Sequence, residues 1–479
     1  MKKILSTLFV LLIALVLIAP FGFSFWAEAK FNRLLQNMNN SGLMVFTLIK
    51  FDRGWFRSTA LVEGEMSGEI ADAYRGYQKK STGKTPLDTP KVILRNVINH
   101  GPIPFMTFAG GNMDLMPQVA VIDTRLMKGI EDTAEPLITM DYGLRTRFPL
   151  AGRISTVMSI PQWSGPLENG RANLEWKGLN ANLRYSEDFG DVDMDVKAPY
   201  LLVDGNDARV LMEGLSIDSK QSKGIEDLPL GTGEISIAKI EFQNAKTHTD
   251  FRMQDTRIDA NSTATGDNID TEMKVNVKQV LAGGDTYGPA VYSLSLRNLD
   301  AGAIARINRQ VKELQKQRDM PPDQAGMMMG AALLSELNTL LKKGPVIEIP
   351  ELSLVSPFGK MLGTARVTVD TSRPEMLSNP LLLKDALIGE VDLEVPEELL
   401  VAFTMASLRK ELSGVDIKYS DEQVKAMART RVQKRMDALV AGGMFVKVDN
   451  MYKFSASYKD GQATLNGHPF QIPAMGGRH

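Results

Sequence analysis

Cysteine is absent from this chain of 479 residues, and histidine is scarce. Without cysteine there is no disulfide, no thiolate nucleophile and no thiolate metal site. The four histidines, His100, His248, His468 and His479, lie far apart, and none belongs to the H-x-x-x-H or H-E-x-x-H spacing of a zinc site. We therefore predict no metal, no cofactor and no catalytic residue, and a protein that is not an enzyme.

A strong net charge is also missing, since the formal value is -2. Domains that bind nucleic acid usually present a strongly basic stripe, so we predict no nucleic-acid partner. Hydrophobic residues make up 43% of the chain and charged residues 23%, which is an ordinary globular balance. The length is enough for two or three domains.

Long hydrophobic runs are limited to the first thirty residues. After Met1-Lys2-Lys3, residues 4–26 are almost entirely apolar and carry no charge. A membrane span needs about 20 such residues, and the preceding lysines favour an N-inside orientation. Ala27-Glu28-Ala29 also fits a signal-peptide cleavage site, but the run exceeds the roughly 7–15 residues of a signal core. We expect an uncleaved single-pass anchor, with cleavage after Ala29 as the alternative.

The rest of the chain is dominated by alternation of apolar and polar residues, which is typical of strands with one buried face. The clearest runs are 171–176, 179–185 and 192–198. We divide the chain into an anchor (1–30), a β-rich region (31–299) and an α+β region that continues the sheet (300–479). The predicted fold class is α+β: an N-terminal transmembrane helix followed by an extended, curved antiparallel β-sheet with several amphipathic helices.

Several helix boundaries can be read from side chains that cap them. Asp300 is a predicted N-cap, and Ser420-Asp-Glu-Gln423 has the spacing of a capping box. Met327-Met328-Met329 lies in a further predicted helix. We interpret these methionines as core residues, with a pliable apolar groove as the alternative.

Four stretches together resemble the YdgA-like family, a bacterial group of membrane-anchored envelope proteins of unknown function. They are Phe51-Asp-Arg-Gly-Trp-Phe-Arg-Ser58, Asn99-His-Gly-Pro-Ile-Pro-Phe105, Gly344-Pro-Val-Ile-Glu-Ile-Pro350 and Tyr458-Lys-Asp-Gly-Gln-Ala-Thr-Leu-Asn-Gly467. The resemblance implies an inner-membrane anchor with the bulk of the protein in the periplasm, and it implies no catalytic residue. A more distant likeness to AsmA-like envelope proteins, which are associated with lipid handling, rests on fold analogy alone.

Three residues stand out as candidates for a recognition loop: Arg53, Trp55 and His100. His100 precedes Gly101-Pro102 and has the pKa range of an acid or base, but a rigid turn in which it bonds a backbone carbonyl explains the motif better. Arg53 and an exposed Trp55 have the chemistry to grip an acidic head group. The interpretation that we favour for this turn is structural: a bent hairpin with a positive φ at Gly54 and with Trp55 and Phe56 packed inward.

The ratio of strands to helices leads to the functional hypothesis. Too few amphipathic helices are predicted to cover a flat sheet, so the sheet must curl or leave an apolar concavity. Leu183 and Val196 are our candidate groove residues, and phospholipid is the expected occupant. The alternative function is an interaction scaffold that engages other envelope proteins, through exposed sheet edges or the helix at 420–439.

Overall fold

The structure is a computed structural model, which describes residues 2–40, 44–68, 71, 74–76, 78, 89–102, 104, 117–127, 142–167, 172–245, 249–315, 322–377, 382–412 and 419–471. In the N-terminal helix α1 (Lys2–Asn39) the side chains are described from Ala19 onward.

One antiparallel sheet of 23 strands organises this part of the chain. Its first half comprises β1 (Met44–Asp52), β2 (Arg57–Met66), β3 (Lys91–His100), β4 (Gln118–Met127), β5 (Gly143–Pro149), β6 (Ile154–Ile160), β7 (Trp163–Pro166), β8 (Ala172–Trp176), β9 (Leu179–Tyr185), β10 (Val192–Gly205), β11 (Ala208–Lys223) and β12 (Pro229–Asn244). Its second half comprises β13 (Thr249–Thr265), β14 (Asn268–Ala282), β15 (Asp285–Tyr287), β16 (Ala290–Asp300), β17 (Val346–Ser356), β18 (Gly359–Val369), β19 (Leu387–Pro396), β20 (Val446–Val448), β21 (Met451–Lys459), β22 (Gln462–Leu465) and β23 (His468–Phe470).

Sequential strands pair with each other along nearly the whole sheet, which confirms the predicted meander. A detour departs from this order: β6 pairs with β9, while the β7–β8 hairpin lies beside the far half of β10. Strands β8 and β9 therefore share one neighbour, end to end. The short strands β15 and β20 are also passed over, since β14 pairs with β16 and β19 pairs with β21. Because consecutive antiparallel strands need only short turns, the chain reaches this size with few crossovers.

Three pairs of helices interrupt the meander in the described part of the chain. Helices α2 (Ala301–Gln315) and α3 (Pro322–Lys342) lie between the adjacent strands β16 and β17. The short helices α4 (Pro374–Leu377) and α5 (Leu383–Ala386) precede β19. Helices α6 (Glu397–Leu412) and α7 (Asp421–Ala441) separate β19 from its partner β21. Each helical insertion therefore extends a β-hairpin without changing the strand order.

The predicted helix caps are confirmed. The Asp300 carboxylate accepts a hydrogen bond from the Ala303 backbone N–H at 2.8 Å. In the capping box of α7, the Gln423 N–H donates to Ser420 Oγ at 3.3 Å and the Ser420 N–H donates to Gln423 Oε1 at 2.8 Å. These bonds satisfy donors that the first helical turn leaves without a partner.

The methionines of α3 are not core residues. Met327 is 69% exposed, and Met328 and Met329 are exposed as well, whereas Leu340 and Leu341 near the end of the helix are buried. The apolar periodicity of α3 is continuous, but its buried residues Ala332, Leu340 and Leu341 lie in the middle and near the end of the helix. The interpretation of the methionines as core residues is therefore wrong.

The main core forms between α1 and the first strands of the sheet. From the helix it contains Ala27, Phe31, Leu34 and Leu35, all buried. From strands β2 to β9 it contains Ala60, Val62, Ile98, Val119, Ala120, Ile122, Phe148, Ile154 and Tyr185. Glu187, after β9, holds the other side of the helix by accepting from Lys30 Nζ at 2.5 Å and Arg33 Nη1 at 2.9 Å. Helix α1 is thus part of the β-rich body from about Pro20 onward.

A transmembrane helix was predicted at residues 4–26. Within the part of the chain whose side chains are described, no helix is both long enough and apolar enough to cross a membrane.

We expect Phe31→Ala to destabilise the protein by about 3–5 kcal/mol, because the buried ring would leave a cavity between α1 and the sheet. Phe25→Ala is the matched control in the same helix, since Phe25 is 48% exposed while Phe31 is 3% exposed. The control should cost about 1 kcal/mol or less. Urea unfolding of the full chain in detergent measures both values. Similar losses in the two variants would contradict the docking of α1 into the core.

Candidate functional site

A single row of apolar residues crosses the sheet at right angles to its strands. Each member is the direct cross-strand partner of the next, so that all project from the same side. In order, the row contains Leu144, Met158, Ala181, Val196, Ile217, Ile235, Ile258, Val275, Tyr292, Leu352, Gly363, Leu393 and Phe454. We call these thirteen residues the apolar row. At a strand spacing of roughly 4.8 Å its twelve steps span about 58 Å.

The opposite side of the same strands is polar. One residue along from the row, the cross-strand partners are Asp218, Glu234, Asp259, Lys274 and Ser293. Their charges are partly matched on the surface, for example where Arg257 contacts both Glu234 and Asp259. The central sheet therefore has one apolar and one polar side, and the two differ at every strand.

Beside the apolar row, the next row of partners on the same side has small residues at its centre. Met194 is followed by Ser219, Gly233, Ala260 and Met273. The cavity of about 820 Å³ along these central strands is lined mainly by residues of the polar side, among them Asp218, Glu234 and Asp259. Ile235, in the middle of the row, is 37% exposed. No described helix makes a buried cluster with this central stretch, whereas both of its ends are covered.

The apolar side continues across an interruption in the strand pairing. The direct pairing of β10 with β11 is broken around Pro199, and Gly214 and Asp255 have positive φ values of 64° and 47°. Beyond this interruption the apolar residues switch between even and odd sequence positions. In β10, for example, the apolar side is formed by Val196 before Pro199 and by Leu201 after it. The cross-strand partners there are Leu201, Met212, Ile240, Met253 and Val280.

After this switch the apolar residues still lie on the same side of the sheet, as the cavity below α6 shows. Val280 and Ala282 line it together with Leu354 and the α6 residues Val401 and Met405. Leu354 shares a side with the apolar row through its partner Ala290. Backbone irregularities such as bulges and left-handed residues re-aim side chains in this way. The apolar side is therefore continuous along the strands as well as across them.

Two cavities lie at the ends of the apolar side. The first, of about 220 Å³, lies between α1 and the sheet and is lined by residues that include Met38, Leu144 and Leu183. The second, of about 550 Å³, is the one below α6, with Arg409 and Lys425 at its polar margin. Both have sizes near or within the range of small-molecule sites, and apolar residues dominate their linings.

The two predicted groove residues lie on this apolar side. Val196 is a member of the apolar row, and Leu183 is the cross-strand partner of Met194 in the neighbouring row. Both are half-buried. Leu183 also lines the cavity below α1, whereas Val196 lies farther along the sheet. The structure thus brings the two residues to one surface, as the alternation in the sequence predicts.

His100 is buried at the contact between α1 and the sheet. Its Nδ1 is 3.0 Å from the carbonyl oxygen of Pro20, and its Nε2 is 3.0 Å from Ser58 Oγ. Because a carbonyl only accepts, Nδ1 carries the proton and donates it, and Nε2 accepts from the Ser58 hydroxyl. Burial lowers the pKa of His100, although the bond to Pro20 opposes this shift. Nδ1 thus joins His100 to α1, while Nε2 joins it to β2.

Arg53 and Trp55 lie in the turn between β1 and β2, beside α1, and neither belongs to the apolar row. Trp55 is 49% exposed, so the prediction that it packs inward is wrong. Its ring stacks on Phe21 at 4.9 Å, and Arg53 Cζ lies 3.8 Å from the ring centre of Phe25. Gly54 has no positive φ either; a Cβ there would collide with the carbonyl oxygen of Arg57.

The described residues contain no group of three or more histidine, aspartate or glutamate side chains placed to hold a metal ion. The acidic residues of the central strands instead form ion pairs, such as Asp193 with Arg153 and Glu241 with Lys239 and Arg252.

Sequence reasoning missed the length of the apolar row. The alternating strands were visible, but the register that aligns residues from β5 to β21 depends on turns and on the β7–β8 detour. It also missed the change of parity beyond Pro199. The signal for that change is present as two successive apolar residues, Leu201-Leu202, within one long strand.

Because the folded state resists protonation of His100, we expect stability to fall as pH decreases from about 6.5, the ordinary histidine pKa, towards the lowered folded pKa. Below 6.5 the unfolded chain takes up a proton that the buried ring does not. The slope is at most about 1.4 kcal/mol per pH unit. His100→Asn, whose amide can replace the Nδ1 donor, should lack this component. Urea unfolding of both proteins across this pH range makes the test, and parallel stability curves would contradict it.

Comparison with known proteins gives the family. The model of a family described as "Bacterial protein of unknown function (DUF945)" matches residues 1–473. Protein YdgA of Escherichia coli (strain K12) is 22% identical over 413 residues, which cover 80% of this chain and 78% of that protein. No solved structure matches the chain. The resemblance carried by the four sequence motifs is thereby confirmed, and the chain belongs to the YdgA-like DUF945 family of bacterial proteins, whose function is unknown.

Proposed function

We propose that this protein is a non-enzymatic, inner-membrane-anchored periplasmic protein that holds phospholipid acyl chains along the apolar row. The observation that carries the proposal is the row itself. Thirteen consecutive cross-strand positions are apolar or glycine on one side of a sheet whose other side is charged.

The dimensions of the row support an elongated apolar ligand. Its length of about 58 Å is close to twice the roughly 30 Å hydrocarbon thickness of a bilayer. Several acyl chains therefore fit end to end between the α1 cavity and the α6 cavity. Contact with exposed side chains such as Ile235 contributes about 0.8 kcal/mol for each CH₂ group that is fully buried.

The absence of charge from the row supports a ligand that is apolar along its length. A carboxylate or ammonium group would have to lose its hydration beside residues such as Ile217 and Ile258, with no partner on the same row. The head group would remain in water at the open side, where no described helix packs. The row thus favours a bound amphiphile over a compact polar ligand.

The N-terminal sequence supports the membrane part of the proposal. Residues 4–26 form an uncharged apolar run after two lysines, and α1 continues from that run into the core of the β-rich body. A protein attached in this manner holds its apolar row close to a source of lipid. The lysines favour an N-inside orientation, which places the sheet in the periplasm.

We expect a photoreactive benzoylphenylalanine at Ile235, in the apolar row, to cross-link phospholipid. The same group at Thr232, which lies in the same strand and is exposed on the polar side, is the matched control and should cross-link little or none. The experiment uses the full chain in vesicles that contain radiolabelled phosphatidylethanolamine. Equal labelling at the two positions would count against a lipid-binding row.

Val196→Asp should reduce lipid cross-linking at Ile235 about tenfold or more. The variant places a carboxylate in the row two strands away, and the loss of two or three CH₂ contacts is worth about 2 kcal/mol. Thermal unfolding of the variant, which must match the unsubstituted protein, is the control for folding. Unchanged cross-linking in a well-folded variant would contradict continuous lipid binding along the apolar row.

An interaction scaffold is the second candidate function. It is favoured by the first half of α3, where Met327, Leu333 and Leu334 are exposed. Such a surface is adaptable, because methionine packs against varied partners. If no lipid cross-links at Ile235, while a cross-linker at Leu334 captures a second envelope protein, the scaffold becomes the better interpretation.

A further inference from the structure

Four exposed aromatic residues gather where α1 enters the β-rich body. They are Phe21, Phe25 and Trp26 of the helix and Trp55 of the turn between β1 and β2, and each is at least 40% exposed. Phe21 contacts both Trp55, at 4.9 Å, and Phe25, at 5.4 Å between ring centres. We call these four residues the aromatic collar.

A charged side chain accompanies the collar. The guanidinium of Arg53 lies over the ring of Phe25 at 3.8 Å and also pairs with Glu28. Large exposed aromatic groups are unusual on a water-facing surface, but together with an arginine they are typical of the layer where lipid head groups meet the hydrocarbon. Their rings occupy the apolar boundary while the indole N–H and the guanidinium reach polar groups.

The length available for a membrane span points to the same placement. The β-rich body already includes α1 from Pro20, whose carbonyl accepts from His100 and whose side chain is buried. Residues 4–19 of the apolar run precede this point in the sequence. At 1.5 Å per residue these sixteen residues span about 24 Å, which is less than the roughly 30 Å of the hydrocarbon layer.

The collar makes up this difference in length. The six residues from Pro20 to Phe25 add about 9 Å of helix, so that a complete span has to include Phe21 and Phe25. Since Trp55 stacks on Phe21, the β1–β2 turn must enter the bilayer surface together with the helix. A body that stood clear of the membrane on a stalk would leave the span too short.

We propose that the aromatic collar is immersed in the outer interfacial layer of the inner membrane, so that the β-rich body sits directly on the lipid. This proposal rests on the membrane anchor of the proposed function and adds the surface by which the body contacts the bilayer. The strands nearest to α1 then face the bilayer, and β21, at the other end of the apolar row, is the strand of the row that is farthest from them in the strand order. The row is thereby supplied with lipid at its α1 end.

The absence of cysteine permits a direct test by single-cysteine labelling of the full chain. Trp55→Cys places a thiol in the collar, and Val448→Cys is the matched control, because Trp55 is 49% exposed and Val448 is 45% exposed. Each purified variant is placed in vesicles of phosphatidylethanolamine and phosphatidylglycerol. Reaction with a charged, membrane-impermeant maleimide is compared with the same variant unfolded in denaturant.

We expect the Trp55→Cys thiol to react at least about tenfold more slowly in vesicles than when unfolded, and the Val448→Cys thiol to differ by less than about threefold. Because only one protein is present, protection cannot come from another envelope protein. If the two variants react equally in protein that floats with the vesicles, the proposed contact of the collar with the bilayer is wrong, whereas the membrane anchor is retained. If the protein does not float with the vesicles, both the membrane anchor and the contact of the collar with the bilayer are wrong.

Discussion

The cross-strand register keeps thirteen apolar positions on one side of the sheet, and every other feature depends on it. A shift of one residue between any two strands would turn the apolar residues of one of them to the charged side. Long strands limit such slippage: β11 to β14 each have 15 or more residues, and the partners of Ile217, Ile235 and Ile258 are fixed by many pairs on either side. The apolar row is thus a property of the pairing as much as of the residues.

Helix α1 covers the apolar side of the first strands of the sheet. Phe31, Leu34 and Leu35 are buried there against strands from distant parts of the sequence. His100 and Glu187 fix the same helix by hydrogen bonds and ion pairs from two directions. Under the proposed membrane attachment, one continuous helix would serve both the anchor and the core, so that attachment and folding of the body would be coupled.

The remaining helices lie at the margins of the apolar side. Ala301 and Ala305 of α2 pack on Ile269 near the start of β14, and α6 with α7 enclose Tyr452 at the C-terminal end. The central part of the row is left without a described helix, which separates a supporting frame from an open binding surface. Under the proposed function, the apolar side of the sheet would contact the lipid while its polar side faces water.

The sequence by itself determined the family, the strand-dominated class, the caps at Asp300 and Ser420, and the side on which Leu183 and Val196 lie. These features depend on neighbours within a few residues, where alternation and capping chemistry act. Only the tertiary structure decided that Trp55 is exposed, that the methionines of α3 are not buried, and that His100 binds the carbonyl of Pro20, 80 residues away. Those outcomes depend on which distant elements meet, and the apolar row most of all, since its register is set by pairing between strands and not by any one segment.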